Sequence, residues 1–275
     1  MKMTNSLDRA LLILELVSSR PGGWSNAELS RRLGMATSSC SYVLGHLERA
    51  GYLRRRAASG RYEIGIKMMT IAYGALGAFG LREAAKPILH KIAADTGLSA
   101  FVAVLENGSV MLIEHIETPE FAQIDVQTNV DLEIGIQFPP HATALGKALL
   151  SHLTNAEVLH IVRKGGLKKW APKTYVSENQ LLEDLKSVRA RGYAIVNEEY
   201  RKGVRAVGAP IVGLPGDVPA ALSLAGTTSQ PAWRENEQVI SLVRKAANQI
   251  SERARYGLVN HRGNLSYPQT RNENM

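Results

Sequence analysis

Residues 25–53, SNAELSRRLGMATSSCSYVLGHLERAGYL, constrain the fold more than any other stretch of this chain. Ser25 and Glu28 stand three apart, the spacing at which each side chain caps the other's free backbone N–H at a helix start. Leu29 and Leu33 then share one face, and Gly34 follows where a chain leaves a helix with positive φ. A second helix is expected from about Thr37. Its apolar residues Cys40, Val43, Leu44 and Leu47 fall at i, i+3, i+4, i+7, a stripe that faces a core. Ser38, Ser41, Tyr42 and Gly45 point the other way. That face carries hydroxyls and a phenol where an ordinary surface helix carries Lys and Glu, so it reads as built for close approach. Gly51 ends the helix and Tyr52-Leu53 opens a strand. Two short helices about a tight turn form a helix-turn-helix, the unit that sets one helix into a DNA major groove.

The next residues add a wing. Arg54-Arg55-Arg56 and Arg61-Tyr62-Glu63-Ile64 flank a Ser-Gly turn and read as a hairpin. The four arginines suit phosphate oxygens, and one could enter a minor groove. Residues 1–64 hold ten basic and five acidic side chains, +5 of the chain's net +8. Positive charge is thus gathered in the first quarter of the chain, as a DNA footprint requires.

A chain of 275 residues has room for two domains. Its single cysteine, Cys40, excludes an intrachain disulfide and a cysteine-based metal site, and its place on the apolar stripe predicts burial. The start, MKMTNSLDRALLILELV, is interrupted by Asp8, Arg9 and Glu15, with Leu7, Leu11 and Leu14 at helical spacing. It reads as an amphipathic first helix rather than a signal peptide. No apolar run is long enough to span a membrane, and a cytoplasmic location is expected.

Residues 65–79, rich in Ala, Gly and Met, read as a linker helix whose small residues would allow close packing against a second copy. Beyond it helices and strands alternate. Leu81–Asp95 is expected helical. Phe101–Leu105 and Val110–Glu114 are expected strands about Asn107-Gly108, a strong hairpin signal. Ile124-Asp125-Val126 reads as a further strand and His141–Ser151 as a helix. Thr154 with Glu157 and Ser177 with Gln180 are two more capping boxes, opening helices over about 155–163 and 178–191. Tyr193–Asn197, Ala209–Val212 and Ala220–Ala225 read as strands, the last two flanking a longer hairpin at 213–217. Glu237–Arg255 is a closing helix with Val239, Val243, Ala246 and Ile250 inward, and 259–275 reads as a disordered tail. The order implies an α+β chain: a winged helix-turn-helix over 6–65, a linker helix over 66–80, and a mixed, mainly antiparallel sheet with packed helices over 81–258.

Enzyme signatures are absent. His141 and the pair Glu114-His115 lack further metal ligands at useful spacing. Ser223 has no nucleophile-elbow turn around it, and no phosphate-cradling loop is present. Glu198 and Glu199 are neighbours on an extended segment and should point to opposite sides, which favours a structural or hinge pair. No catalytic residue, metal or cofactor is expected.

The segments SLDRALLILELV, LSRRLGM, HLERAGYL, PPHATALGKALL, RGYAIVNEEYRKGVRAVGAPIVG and AALSLAG resemble the IclR family of bacterial transcription regulators over about residues 6–257. HATALGKALL is the most specific of them. The resemblance implies a GAF-like effector domain behind the winged helix, operator DNA and a small organic effector as partners, and homodimers or homotetramers. Matching the family's operator-reading positions are Thr37, Ser38, Ser39, Ser41 and Tyr42, with Arg54, Arg55, Arg56 and Arg61 on the wing. Many relatives carry Lys or Arg where Thr37 and Tyr42 stand, so shape readout should carry more of the specificity here.

For the effector the resemblance brings together Thr143, Ala144, Leu145 and Gly146, whose backbone N–H groups would receive a carboxylate; Val196, Asn197 and Ala206; and Ser223 and Ala225. Relatives that bind very small keto acids carry Asp, Cys and a second Ser where Val196, Ala206 and Ala225 stand. Losing polar groups implies a more apolar ligand, because burying them unpartnered is costly. The expected effector is an aromatic or otherwise larger carboxylic acid, and the expected function a ligand-responsive transcription regulator, a repressor rather than an activator. The alternative is a small-molecule enzyme or sensor whose winged helix mediates protein contacts only.

Overall fold

The amphipathic start forms α1 (Ser6–Ser18), but the buried stripe differs from the one expected. Ile13 and Val17 are buried with Ala10 and Leu14 beside them, an i, i+3, i+4, i+7 set, whereas Leu7 and Leu11 face outward. The computed structural model describes residues 6–71, 80–128, 132–214 and 219–261. The chain divides into two compact units, Met1–Leu76 and Gly77–Met275.

In the first unit α1 is followed by α2 (Asn26–Leu33) and α3 (Thr37–Arg49). The capping box is formed: the Glu28 N–H donates to Ser25 Oγ at 3.2 Å and the Ser25 N–H donates to Glu28 Oε2 at 2.8 Å. The Ser25 N–H and the Ser25 hydroxyl, both donating to the Glu28 carboxylate, lower its pKa to about 2. Gly34 takes the left-handed conformation, φ 61°, that ends α2. The stripe of α3 meets α1 and α2 as expected, with Cys40, Val43 and Leu44 buried among Ile13, Val17, Leu29 and Leu33. Strands β1 (Leu53–Arg55) and β2 (Tyr62–Ile64) pair antiparallel, Leu53 opposite Ile64, and form the wing. Residues 66–71 are helical and form α4; 72–79 of the expected linker lie outside the described residues.

The second unit is built on one six-stranded antiparallel sheet, in the order β5-β4-β3-β8-β7-β6. The strands are β3 (Ser99–Glu106), β4 (Ser109–Ile116), β5 (Gln137–Phe138), β6 (Ala194–Asn197), β7 (Val204–Ile211) and β8 (Ala220–Thr227). Asn107 and Gly108 both take positive φ between β3 and β4, the two-residue hairpin their sequence demands. Helices α5 (Leu81–Thr96) and α10 (Asn236–His261) pack together and against one sheet face. The inward residues Val239, Val243, Ala246 and Ile250 of α10 are all buried. Helix α7 (Ala144–Leu150) covers the other face with Ala144, Leu145, Ala148 and Leu149, and α8 (Asn155–Gly165) and α9 (Glu178–Arg191) follow.

Four expectations are corrected. Ile124-Asp125-Val126 is not a strand but part of α6 (Pro119–Thr128). The Thr118 carbonyl accepts from the N–H groups of Phe121 and Ala122, which closes a helical turn, and Phe121 is buried; three alternating residues are too weak a pattern to override this. The helix expected from His141 begins at Ala144, with Thr143 as its N-cap. Ser177 precedes α9 without making a side-chain cap bond, so its capping box is not formed. Helix α10 continues through 259–261 of the expected tail; 262–275, and most of the hairpin at 213–217, fall outside the described residues. Among the described residues no helix is long and apolar enough to cross a membrane.

Candidate DNA-reading face and effector cavity

Helix α3 presents Thr37, Ser38, Ser39, Ser41 and Tyr42 to solvent. Thr37 is partly engaged at the turn: its hydroxyl lies 3.3 Å from Ser30 Oγ, and its carbonyl accepts from Asn26 Nδ2. Tyr42 is 68% exposed and meets His46 edge-on at 4.4 Å between ring centroids. His46, one turn further on the same face, escaped the sequence reading. Its signal was the i, i+4 spacing from Tyr42.

The four wing arginines divide. Arg54 and Arg56 both reach Glu63, at 2.9 and 2.6 Å, and remain more than half exposed. Arg55 donates from Nε to the Gly60 carbonyl and lies over the Tyr62 ring. Arg61 turns inward, donating to the Gly23 carbonyl at 2.9 Å and pairing with the carboxylate of Glu28 at 3.1 Å. The wing therefore offers three outward guanidiniums, and the fourth ties it to the start of α2.

In the second unit a cavity of about 80 Å³ opens beside the start of α7. Seven of the nine residues expected at the effector site line it: Thr143, Ala144, Leu145, Val196, Ala206, Ser223 and Ala225. Strand register explains this: Val196 pairs with Ala206, Ala206 with Ala225, and Ser223 lies two residues from Ala225 on the same face. Gly146 and Asn197 do not line it. Asn197 is exposed, on the opposite side from Val196. Gly146 faces the chain itself, and a β-carbon there would stand 2.2 Å from the Pro140 carbonyl oxygen. Gly208 does the same for the sheet, allowing the Ala144 carbonyl to come close to β7.

The helix start is largely satisfied from within. Thr143 Oγ1 accepts from the Gly146 N–H at 3.1 Å and donates to the Pro139 carbonyl, and the Lys147 N–H donates to the Thr143 carbonyl. At most the N–H groups of Ala144 and Leu145 are left for a guest. Eight further residues line the cavity, half of them aromatic: Phe101, Phe121, Phe138 and Tyr200, with Leu132, Ala142, Val204 and Arg201. Tyr200 meets Phe138 edge-on at 6.0 Å. Burial lowers the guanidinium pKa of Arg201, with Glu117 acting in the other direction, and burial raises the Tyr200 phenol. The wall is therefore apolar and ringed, with one serine hydroxyl from β8 and one desolvated cation.

His141 is buried, its Nε2 3.0 Å from the Lys168 carbonyl, and burial holds its pKa below the usual value. Glu198, at φ 62°, pairs with Lys173, whereas Glu199 turns inward to Lys147. Two carboxylates committed to two different lysines are a structural pair.

The two units match two family descriptions. Residues 6–57 match the IclR helix-turn-helix domain, and residues 73–252 match the bacterial transcriptional regulator IclR C-terminal domain. The chain belongs to the IclR family. The regulator BhcR of Paracoccus denitrificans is 31% identical over 90% of this chain and 86% of its own length. The transcriptional repressor IclR of Escherichia coli is 27% identical over 90% of this chain and 88% of its own. A solved IclR homologue from Microbacterium hydrocarbonoxydans, in complex with 4-hydroxybenzoate, shares the fold. Its TM-score is 0.75 at 22% identity, over 92% of this chain and 100% of that one. This IclR-family chain is thus a helix-turn-helix transcription regulator with an effector-binding domain, in a family of regulators rather than enzymes.

Proposed function

We propose that the cavity takes a compact aromatic carboxylic acid and that this acid resets the regulator's hold on operator DNA. The observation that carries the reading is the wall itself: four aromatic rings, aliphatic residues, Ser223 and Arg201 around about 80 Å³. That volume amounts to several water-sized spheres, room for one ring and too little for a nucleotide. Ring faces and methyl groups favour an apolar body. The acid end has Arg201, Ser223 and the N–H groups of Ala144 and Leu145 within the same lining. The Microbacterium hydrocarbonoxydans homologue binds such an acid, 4-hydroxybenzoate, on the same fold.

On the DNA side, Ser38, Ser39, Ser41 and Tyr42 read base edges from α3, with Thr37 at the turn. Arg54, Arg55 and Arg56 grip phosphates from the wing, and Arg61 holds the wing in place. Small hydroxyls contact several bases with little discrimination, so groove shape carries much of the choice. The protein acts as a homodimer or a homotetramer, on half-sites roughly 34 Å apart. Repression is the favoured direction, as in the Escherichia coli relative that bears the name repressor. The acid regulates only if it binds one arrangement of the chain better than another.

Calorimetric titration of the full chain with benzoate, 4-hydroxybenzoate, pyruvate and glyoxylate tests the ligand. Aromatic acids should bind at least about tenfold more tightly, with the negative heat-capacity change of apolar burial. Preference for pyruvate or glyoxylate would remove the proposal.

A further inference from the structure

Lys147 is fully buried on α7. Its ammonium stands 2.7 Å from Asp184 Oδ2 on α9 and 2.6 Å from Glu199 Oε2, and 4.1 Å over the ring of Tyr175. Arg191 reaches the other oxygen of Asp184 at 3.9 Å. None of these five residues lines the cavity, yet both segments that face the ligand run through the cluster. Three residues before Lys147 on α7 is Ala144, and directly after Glu199 come Tyr200 and Arg201; all three line the cavity.

A strap over residues 168–175 joins the same two segments from outside. The Lys168 carbonyl lies 3.0 Å from His141 Nε2, and the Trp170 ring meets the Tyr200 ring at a tilt of 60°, 5.2 Å between centroids. Lys173 pairs with Glu198, and Thr174 Oγ1 donates to the Glu199 carbonyl. Ligand-facing residues are therefore held at two points, by a buried charge within and by the strap without.

Such a pair is a poor source of stability. Removing an ammonium and a carboxylate from water costs about what their attraction returns, and apolar replacements are often neutral or stabilising. The upward shift of the Glu199 carboxyl has burial as its largest cause, ahead of the opposing pull of Lys147, which agrees with this balance. What a buried pair supplies is direction: an ammonium between two fixed carboxylates admits one placement of the segment that carries them.

We propose that Lys147 is a positioning residue for the effector, setting through Glu199 where Tyr200 and Arg201 stand against the start of α7 without contacting the ligand. The inference rests on the reading of the cavity as the effector site. Hydrogen–deuterium exchange on the full-length protein tests it without any ligand, using the triple variant Lys147→Met/Asp184→Leu/Glu199→Leu, which removes the ammonium together with both carboxylates that face it, and the conservative variant Glu199→Gln. The triple variant should keep or raise its melting temperature while residues 198–203 exchange roughly tenfold faster than in the parent, with α5 and α10 unchanged. Glu199→Gln keeps an oxygen for the Lys147 ammonium and should retain the parent's protection. A fall in melting temperature of the triple variant would make the cluster a structural strut and overturn the proposal. So would unchanged exchange at 198–203. In parallel, benzoate and 4-hydroxybenzoate are titrated into parent and variants: any acid that binds the parent should lose at least about tenfold in the triple variant. If neither acid binds the parent, the ligand reading fails by itself, and exchange at 198–203 still decides the role of Lys147.

Discussion

The wing and the α7 cluster both set cations against carboxylates, and they use the pairing for opposite ends. On the wing, Arg54 and Arg56 share Glu63 while more than half exposed. Pairs of this kind contribute little to stability, so the guanidiniums can exchange Glu63 for a phosphate at little cost. In the second unit Lys147 is sealed between Asp184 and Glu199 and has nothing to exchange with. Exposed charge is available to a partner. Buried charge is spent on the shape of the chain that holds it.

Removing one member from each place should separate the two uses most sharply. Lys147→Met alone leaves two carboxylates in the interior without their cation, and unfolding in urea should show a loss of about 3 kcal/mol or more. A variant that melted like the parent would show that the cluster is wetter than its burial implies. Arg54→Ala with Arg56→Ala should leave the unfolding midpoint nearly unchanged. Its effect belongs to DNA: the slope of log affinity against log salt should become shallower by roughly 1.8, about 0.9 for each phosphate that is no longer neutralised. An unchanged slope would remove these two arginines from the DNA interface.

A smaller effect distinguishes the two regions by pH. Burial raises the Glu199 pKa above its ordinary value of 4.5, so the folded chain holds that proton more tightly than the unfolded chain does. Its contribution to stability is complete below about 4.5 and is lost as pH rises through the raised folded value. The melting temperature of the parent, relative to Glu199→Gln, should therefore climb as pH falls from neutral toward 4.5. Glu28 runs the other way: its pKa is lowered to about 2, so what it contributes is present above its ordinary value and fades as pH falls toward 2. Melting curves of the parent, Glu199→Gln and Glu28→Gln across this range check both signs.

How far the sequence reveals the molecule follows the same division. Helix α3, the wing and the Ser25–Glu28 cap are local: a period of 3.6, a capping box and a turn are complete within a few residues, and all three formed. The cavity residues Val196, Ala206, Ser223 and Ala225 were legible through family resemblance and strand alternation. Asn197 failed by the same alternation, being the neighbour on the other side. Gly146 failed because its smallness serves the Pro140 backbone rather than a guest. Phe121 was hidden because its helix was read as a strand starting at Ile124, three residues beyond it. Phe138 comes from a segment that only the sheet brings to the cavity, and no spacing marks it; Tyr200 and Arg201 lie between Val196 and Ala206, in a segment expected at the site, but no alternation singles them out. Lys147 was invisible because a lysine on a helix is ordinarily at the surface. Its burial depends on Asp184 and Glu199, 37 and 52 positions further along the chain.

The most direct test of a ligand-controlled regulator is reciprocity. Genomic fragments captured by the full-length protein supply the DNA, and 4-hydroxybenzoate affinity is measured with and without a saturating fragment. The acid should weaken DNA binding by some factor, and DNA should weaken acid binding by that same factor. Equal acid affinity on and off DNA would contradict the account.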